Sequence, residues 1–176
     1  MRAFIAIEIP KEVKDILYSL QNKQVSGFSK INWVHKKNLH LTLKFLADLP
    51  EDKLEKIKSL LKEIRFKRFD VSLGDLGFFP SEDYIKIVWV SLEPEVKIME
   101  LQQEIDSKLS EFFKLEDRFA VHLTLGRVKF IKDAPLFRNI MLNQEIKKLK
   151  FEVSGFSLIR SELTKNGPKY ELLEKF

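Results

Sequence analysis

NLHLTLKF, residues 38–45, recurs in the second half of the chain as AVHLTLGR, residues 120–127. The 176-residue chain holds three His and three Thr in all, so two of each sharing the tetrapeptide His-Leu-Thr-Leu, once per half, point to a duplicated unit. The flanks repeat as well. FDVSLGDLGFF starts at Phe69 and FEVSGFSLIRS at Phe151, and the offset from His40 to Phe69 is the same as that from His122 to Phe151. Ahead of the motifs, FIAIEIPKEVKDILYSL and IVWVSLEPEVKIMELQQEI each read as an apolar strand, a proline, Glu-Val-Lys and a helix. Val13, Ile16, Leu17 and Leu20 form the apolar stripe of the first helix, and Ile98, Leu101, Ile105 and Leu109 keep nearly the same stripe in the second. Pro10 and Pro94 fit the first turn of those helices, where a missing N–H leaves no bond unmade.

Each half therefore reads strand, helix, motif strand, helix, strand, strand. The second helix of each half lies in PEDKLEKIKSLLKEI and in LFRNIMLNQEIKKL, and KNGPKY, residues 165–170, is the expected last hairpin turn. This pattern predicts an α+β architecture of two lobes related by a pseudo-two-fold, each an antiparallel sheet with helices on its outer face, and a groove between them. No Gly/Ser-rich linker separates the halves. A single bilobal domain over residues 1–176 is expected, with repeat units of about 1–87 and 88–176.

A chain that is 44% hydrophobic, with fifteen Phe spread along it, has no stretch of disordered composition. The absence of Cys removes disulfides, thiolate nucleophiles and Cys-based zinc sites together. In MRAFIAIEIP the charge of Glu8 interrupts a short apolar run, unlike a signal peptide, and no apolar run approaches the roughly 20 residues of a membrane-spanning helix. A cytoplasmic protein with no membrane partner is expected. The net charge of +5 favours a polyanionic partner, although a Lys-rich surface that merely keeps the chain soluble accounts for it equally well.

On a strand, residues i and i+2 share a face, so His40 and Thr42 face one way while Leu41 and Leu43 face the core. Doubling that strand about a pseudo-two-fold sets two imidazoles and two hydroxyls around a common cleft, a bracket suited to a tetrahedral anion. A neutral His can take a proton from water while a protonated one gives a proton to the departing oxygen of a phosphodiester. The hydroxyls of Thr42 and Thr124 can donate to the non-bridging oxygens as charge builds there. Zinc needs three or four protein ligands, and no third His or Cys keeps the repeat, so no metal and no cofactor are expected. His35, in NWVHKKN, has no counterpart in the second half and reads as a non-catalytic loop residue. Lys44 and Arg127 can pair with phosphates or can be solvated surface charges; strict alternation puts Lys44 on the His40 face but Arg127 opposite His122, unless a bulge at Gly126 turns it inward. Trp33, Phe45, Phe78 and Phe79 can stack bases, although core packing is the commoner fate of aromatics beside strands.

HLTLKFL and HLTLGRVK resemble the paired His-x-Thr motifs of the 2H phosphoesterases, and within them the RNA 2',3'-cyclic phosphodiesterases, also called 2'-5' RNA ligases. MRAFIAIEIP, GFFPSEDYIKIVWVSLE and IRSELTKNGPKYELLEKF are similar to the same branch, so the resemblance covers essentially the whole chain. It implies a bilobal α+β fold, hydrolysis of a 2',3'-cyclic phosphate to a 2'-phosphate, and weak ATP-independent joining of tRNA halves through a 2'-5' linkage. It also implies that His40 and His122 are the catalytic pair, with His40 donating to the leaving O3' and His122 activating water. Thr42 and Thr124 would bind the phosphate, and Arg127 stands where the family carries a basic residue. The chain departs from the family at His35, where proline is more usual, and at Gly126, where alanine is common. The expected partner is RNA with a cyclic phosphate end, and the expected state a monomer. Two other readings stay open at this point: a 2H enzyme for small cyclic nucleotides or ADP-ribose cyclic phosphate, and an RNA-binding module without catalysis.

Overall fold

An apolar run that fills both faces of a strand marks the middle of a sheet. Phe4, Ile5, Ala6 and Ile7 are all buried, and in the computed structural model, which describes residues 1–21, 23–165 and 167–176, they form β1 (Ala3–Glu8) at the centre of a four-stranded sheet. The first repeat continues with α1 (Lys11–Ser19), β2 (Ser29–Trp33), β3 (His40–Leu46), α2 (Leu54–Lys62) and β4 (Phe69–Pro80). The second contains β5 (Ile85–Glu93), α3 (Val96–Lys108), β6 (Leu123–Ile131), α4 (Ala134–Leu142), β7 (Lys150–Val153), β8 (Ser157–Thr164) and β9 (Gly167–Lys175). Residues 87 and 88 thus lie inside β5.

The strands form two antiparallel sheets, ordered β3-β1-β8-β9 and β2-β6-β5-β4-β7. Sequence halves and sheets do not coincide. β2 and β4 of the first half join the second sheet, while β8 returns from the end of the second half to pair with β1 and β9 forms the edge beyond it. Periodicity identified the repeat but carries no information on which copy's strand a given edge will choose. Within the second sheet the pairing of β4 with β7 is itself symmetric, with Phe69 opposite Val153, Asp70 opposite Glu152 and Val71 opposite Phe151. The shift that carries His40 onto His122 also carries Phe69 onto Phe151 and Val71 onto Val153, so the pairing maps onto itself and the pseudo-two-fold runs through Asp70 and Glu152.

One face of each sheet meets the helices in a continuous core. Ile5, Ile7, Val88, Val90 and Leu123 of the strands and Val13, Leu17, Ile57, Leu61, Ile98, Ile105, Phe137 and Met141 of the helices all belong to it. The helical stripes fall where the spacing predicts, with Val13, Leu17, Leu20, Ile98, Leu101, Ile105 and Leu109 all buried and Ile16 partly so. Pro10 is the residue before α1 rather than within its first turn, and Pro94 comes just ahead of Glu95, the residue that caps α3. The second helix of the later repeat is shorter than its apolar spacing suggests, ending at Leu142, with residues 143–149 irregular. Its N-terminus is held by Asp133, whose carboxylate accepts the Leu136 N–H at 2.9 Å. β2 is an element the sequence reading lacked. Of the expected hairpin turn at 165–170, Asn166 lies outside the described residues; Gly167 beside it has φ of +103°, a conformation open chiefly to glycine.

Candidate active site

The two motif strands begin alike. His40 opens β3 and His122 immediately precedes β6, and each imidazole is tied back to the carbonyl two residues upstream: His40 Nδ1 to Asn38 O at 2.6 Å, His122 Nδ1 to Ala120 O at 2.7 Å. A carbonyl can only accept, so Nδ1 carries the proton and Nε2 is the nitrogen left for other chemistry. His40 Nε2 lies 2.9 Å from Thr42 Oγ1, joining the two motif side chains directly. Asn38 is fixed in turn, since its side chain donates to Pro168 O at 3.2 Å.

β3 and β6 belong to different sheets, yet their Cα atoms approach within 8 Å of each other, so the sheets meet along the motif strands. Both strands carry a bulge at matching positions. Thr42 faces Ala6 and Lys44 faces Ile5, leaving Leu43 as the extra residue; Thr124 faces Trp89 and Gly126 faces Val88, leaving Leu125 as the extra one. Past a bulge the alternation changes phase. Arg127 pairs with Ile87, which shares a face with Trp89 and hence with Thr124, so Arg127 is turned onto the His122 face. The bulge that sequence alone offered as a condition is present.

The same geometry corrects the reading of Lys44. It points away from His40 and is 2% exposed, its ammonium bonded to Asp106 and, at 2.8 Å, to the Lys114 carbonyl. Phe45 takes the position that Arg127 holds in the other repeat, on the Thr42 face and 62% exposed. Alternation failed here because a one-residue bulge leaves no mark in the apolar pattern of HLTLKFL. Gly126 is explained by packing: a Cβ there would sit 2.6 Å from the Trp33 ring, which lies across it.

Aromatic rings frame both histidines. Phe4 stacks on His40 with ring centroids 4.7 Å apart, Tyr170 meets the same imidazole edge-on at 5.5 Å, and Phe79 meets His122 edge-on at 5.1 Å. Of the four aromatics considered for base stacking, Phe45 and Phe79 are on the site side, Phe78 is in the core against Phe137, and Trp33 covers Gly126. Phe4 and Tyr170 were missed. Alternation along FIAIEI puts Phe4 opposite the core residues Ile5 and Ile7, but only the β1–β3 register shows that this face is His40's. His35 is exposed and caps the short turn 36–38, its Nδ1 accepting the Lys37 N–H at 3.4 Å.

Burial pushes the His40 imidazole below its ordinary value; its bond to the Asn38 carbonyl opposes this, and the charge of Lys14 adds to it. Burial likewise pushes the Tyr170 hydroxyl up, with Arg127 pulling partly back. Two Nε2 atoms, two Thr hydroxyls and a guanidinium are groups chemically able to hold a small anion. Among the described residues, no three His, Cys, Asp or Glu side chains cluster as metal ligands, and no helix is long and apolar enough to cross a membrane.

The sequence model of the family described as LigT like Phosphoesterase matches residues 7–89 and again residues 90–170. The chain is 35% identical over 179 residues to the RNA 2',3'-cyclic phosphodiesterase of Methanocaldococcus jannaschii, covering 100% of both chains. It is 32% identical over 180 residues to the enzyme of the same name from Methanothermobacter thermautotrophicus, covering 100% of this chain and 98% of the other. A crystal structure from Thermus thermophilus superposes with a TM-score of 0.82 at 29% identity, over 100% of this chain and 97% of that one. Two family matches, one upon each His-x-Thr strand, together with relatives alike from end to end, make this chain a member of the LigT-like 2H phosphoesterase family.

Proposed function

We propose that the protein hydrolyses the 2',3'-cyclic phosphate at an RNA end, without a metal ion, to a 2'-phosphate and a free 3'-hydroxyl. The observation that carries this reading is the matched pair of imidazoles, each bonded through Nδ1 to the carbonyl two residues upstream, at the starts of two strands that approach each other from different sheets. In this reading His122 Nε2 takes a proton from water as its oxygen attacks phosphorus. The P–O3' bond breaks, and O3' receives its proton from His40 Nε2. Thr42 and Thr124 hold the non-bridging oxygens, and Arg127 adds a positive charge beside them. A 5'-hydroxyl attacking in place of water leaves a 2'-5' linkage by the same displacement, which is how tRNA halves would be joined. We further propose one domain over residues 1–176 of two repeat units, about 1–87 and 88–176, acting as a monomer in the cytoplasm.

The test is turnover of an oligoribonucleotide ending in a 2',3'-cyclic phosphate with EDTA present. Full activity in EDTA is expected, with His40→Ala and His122→Ala each slower by about 10² to 10⁴-fold. Thr42→Ala and Thr124→Ala should each lose about 10²-fold. Activity that disappears in EDTA and returns with added zinc or manganese would refute the two-histidine mechanism.

A further inference from the structure

Each motif strand is held at its bulge by residues from the opposite half of the chain. On β3, Lys44 Nζ reaches Asp106 of α3 and the Lys114 carbonyl, and the other oxygen of Asp106 accepts the Glu116 N–H at 2.8 Å. On β6, Leu125 O, the carbonyl of the extra residue, accepts from Val34 N at 2.8 Å and from Gln21 Nε2 at 3.2 Å, and Gln21 Nε2 also bonds Val34 O at 2.7 Å. Gln21 follows α1 by two residues, and Asp106 lies in the last turn of α3. The two arrangements are reciprocal, first half upon second and second upon first, at the equivalent bulges of the two repeats.

The buried pair also fills a gap in the symmetry. β2 runs along β6 eleven to seven residues ahead of His40, and the stretch at the same distance ahead of His122 is 111–115. That stretch forms no strand, so β3 is an edge of its sheet, and the Lys44 ammonium bonded to Lys114 O stands in for a backbone ladder. With side chains 1% and 9% exposed, Lys44 and Asp106 form a desolvated ion pair. Such a pair adds little stability over apolar residues of the same volume. What it adds here is direction, because an ammonium held between a carboxylate and a carbonyl fixes where the 106–116 segment sits against β3. Six residues beyond Glu116 that segment delivers His122.

We propose that Lys44 and Asp106, with Gln21 as their counterpart, are positioning residues that set the two histidine strands against each other across the groove. This rests on reading His40 and His122 as one acid–base pair. A clamp of this kind affects the transition state, in which both histidines must be aligned, more than it affects substrate binding.

The experiment compares wild type with Lys44→Met/Asp106→Leu and with Gln21→Met. For each, it measures the thermal midpoint, kcat and KM on cyclic-phosphate-ended RNA, and amide hydrogen exchange over residues 114–122. The apolar double variant is expected to keep a midpoint within a few degrees of wild type and a KM within about threefold, while kcat falls at least about tenfold and exchange protection at Glu116 is lost. Gln21→Met should lower kcat by about threefold. A double variant as stable and as fast as wild type would make the ion pair mere packing and overturn the proposal. If the double variant does not fold, an unchanged kcat in Gln21→Met overturns it instead. If the wild type itself leaves the RNA intact, the proposed function fails separately, and exchange decides the clamp: unaltered protection over 114–122 in the double variant refutes it.

Discussion

His40 sits where burial disfavours its charged form, yet the proposed role asks it to deliver a proton. The conflict resolves if the substrate supplies the missing stabilisation, since a phosphate anion beside Nε2 favours the imidazolium. The pH dependence then has a definite sign. The profile of kcat/KM reports free protein, so its alkaline limb should fall through the lowered His40 value, beneath the ordinary figure of about 6.5. The profile of kcat reports the complex, so its limb should lie at higher pH. Both limbs should be absent in His40→Ala; limbs that vanish only in His122→Ala would exchange the two roles. Stability follows the same group. The unfolded chain binds this proton more readily than the folded one, so stability present above about pH 6.5 is lost as pH falls through the folded value. Denaturant midpoints should show that decline in wild type and less of it in His40→Gln. At this scale the motif was plain in the sequence, because His-x-Thr on a strand states its own face. Asn38 O, Ala120 O, Phe4 and Tyr170 were not, since backbone carbonyls carry no side-chain signature and ring contacts depend on strand register.

The bulges decide what each motif strand presents. By carrying one extra residue, β3 turns Lys44 inward and Phe45 outward, and β6 does the same with Gly126 and Arg127. A reading by alternation is therefore right up to Thr42 and Thr124 and out of phase beyond them. Glycine at 126 was the one visible sign of this, and β3 has no such sign because a lysine can occupy the inward position if it finds Asp106. Packing makes the β6 bulge testable. Gly126→Val would drive a branched side chain into Trp33 and Ile31, whose atoms lie 2.6 and 2.8 Å from an ideal Cβ. Overpacking of this kind costs about 1–3 kcal/mol, and the variant should lose that much stability in urea while Gly27→Val, where nothing lies within 4 Å, should lose far less. Equal losses in both variants would mean that β2 yields freely and that Gly126 is unconstrained.

Across the whole molecule, if the protein acts as proposed, its net charge of +5 would draw a long RNA toward the site, whereas the chemistry would need only the terminal phosphate. Binding of an oligoribonucleotide should weaken as salt rises, with log K falling by about 0.7 per phosphate neutralised against log salt, while turnover of a 2',3'-cyclic mononucleotide should change little. A salt-independent oligonucleotide affinity would remove the basic surface from the account. The two-lobe plan was legible because the repeat is written at a constant offset, but the exchange of strands between sheets was not, since pairing partners are chosen in space. That exchange has a consequence for how the chain comes into being. The sheet carrying His40 needs Ala3 beside Arg160, strands separated by most of the sequence, so its closure is a late and slow event in folding. A ribosome making this protein has released His40 long before the sheet that aligns it can exist, and cutting the gene between the repeats would yield two pieces, neither of which holds all the strands of either sheet.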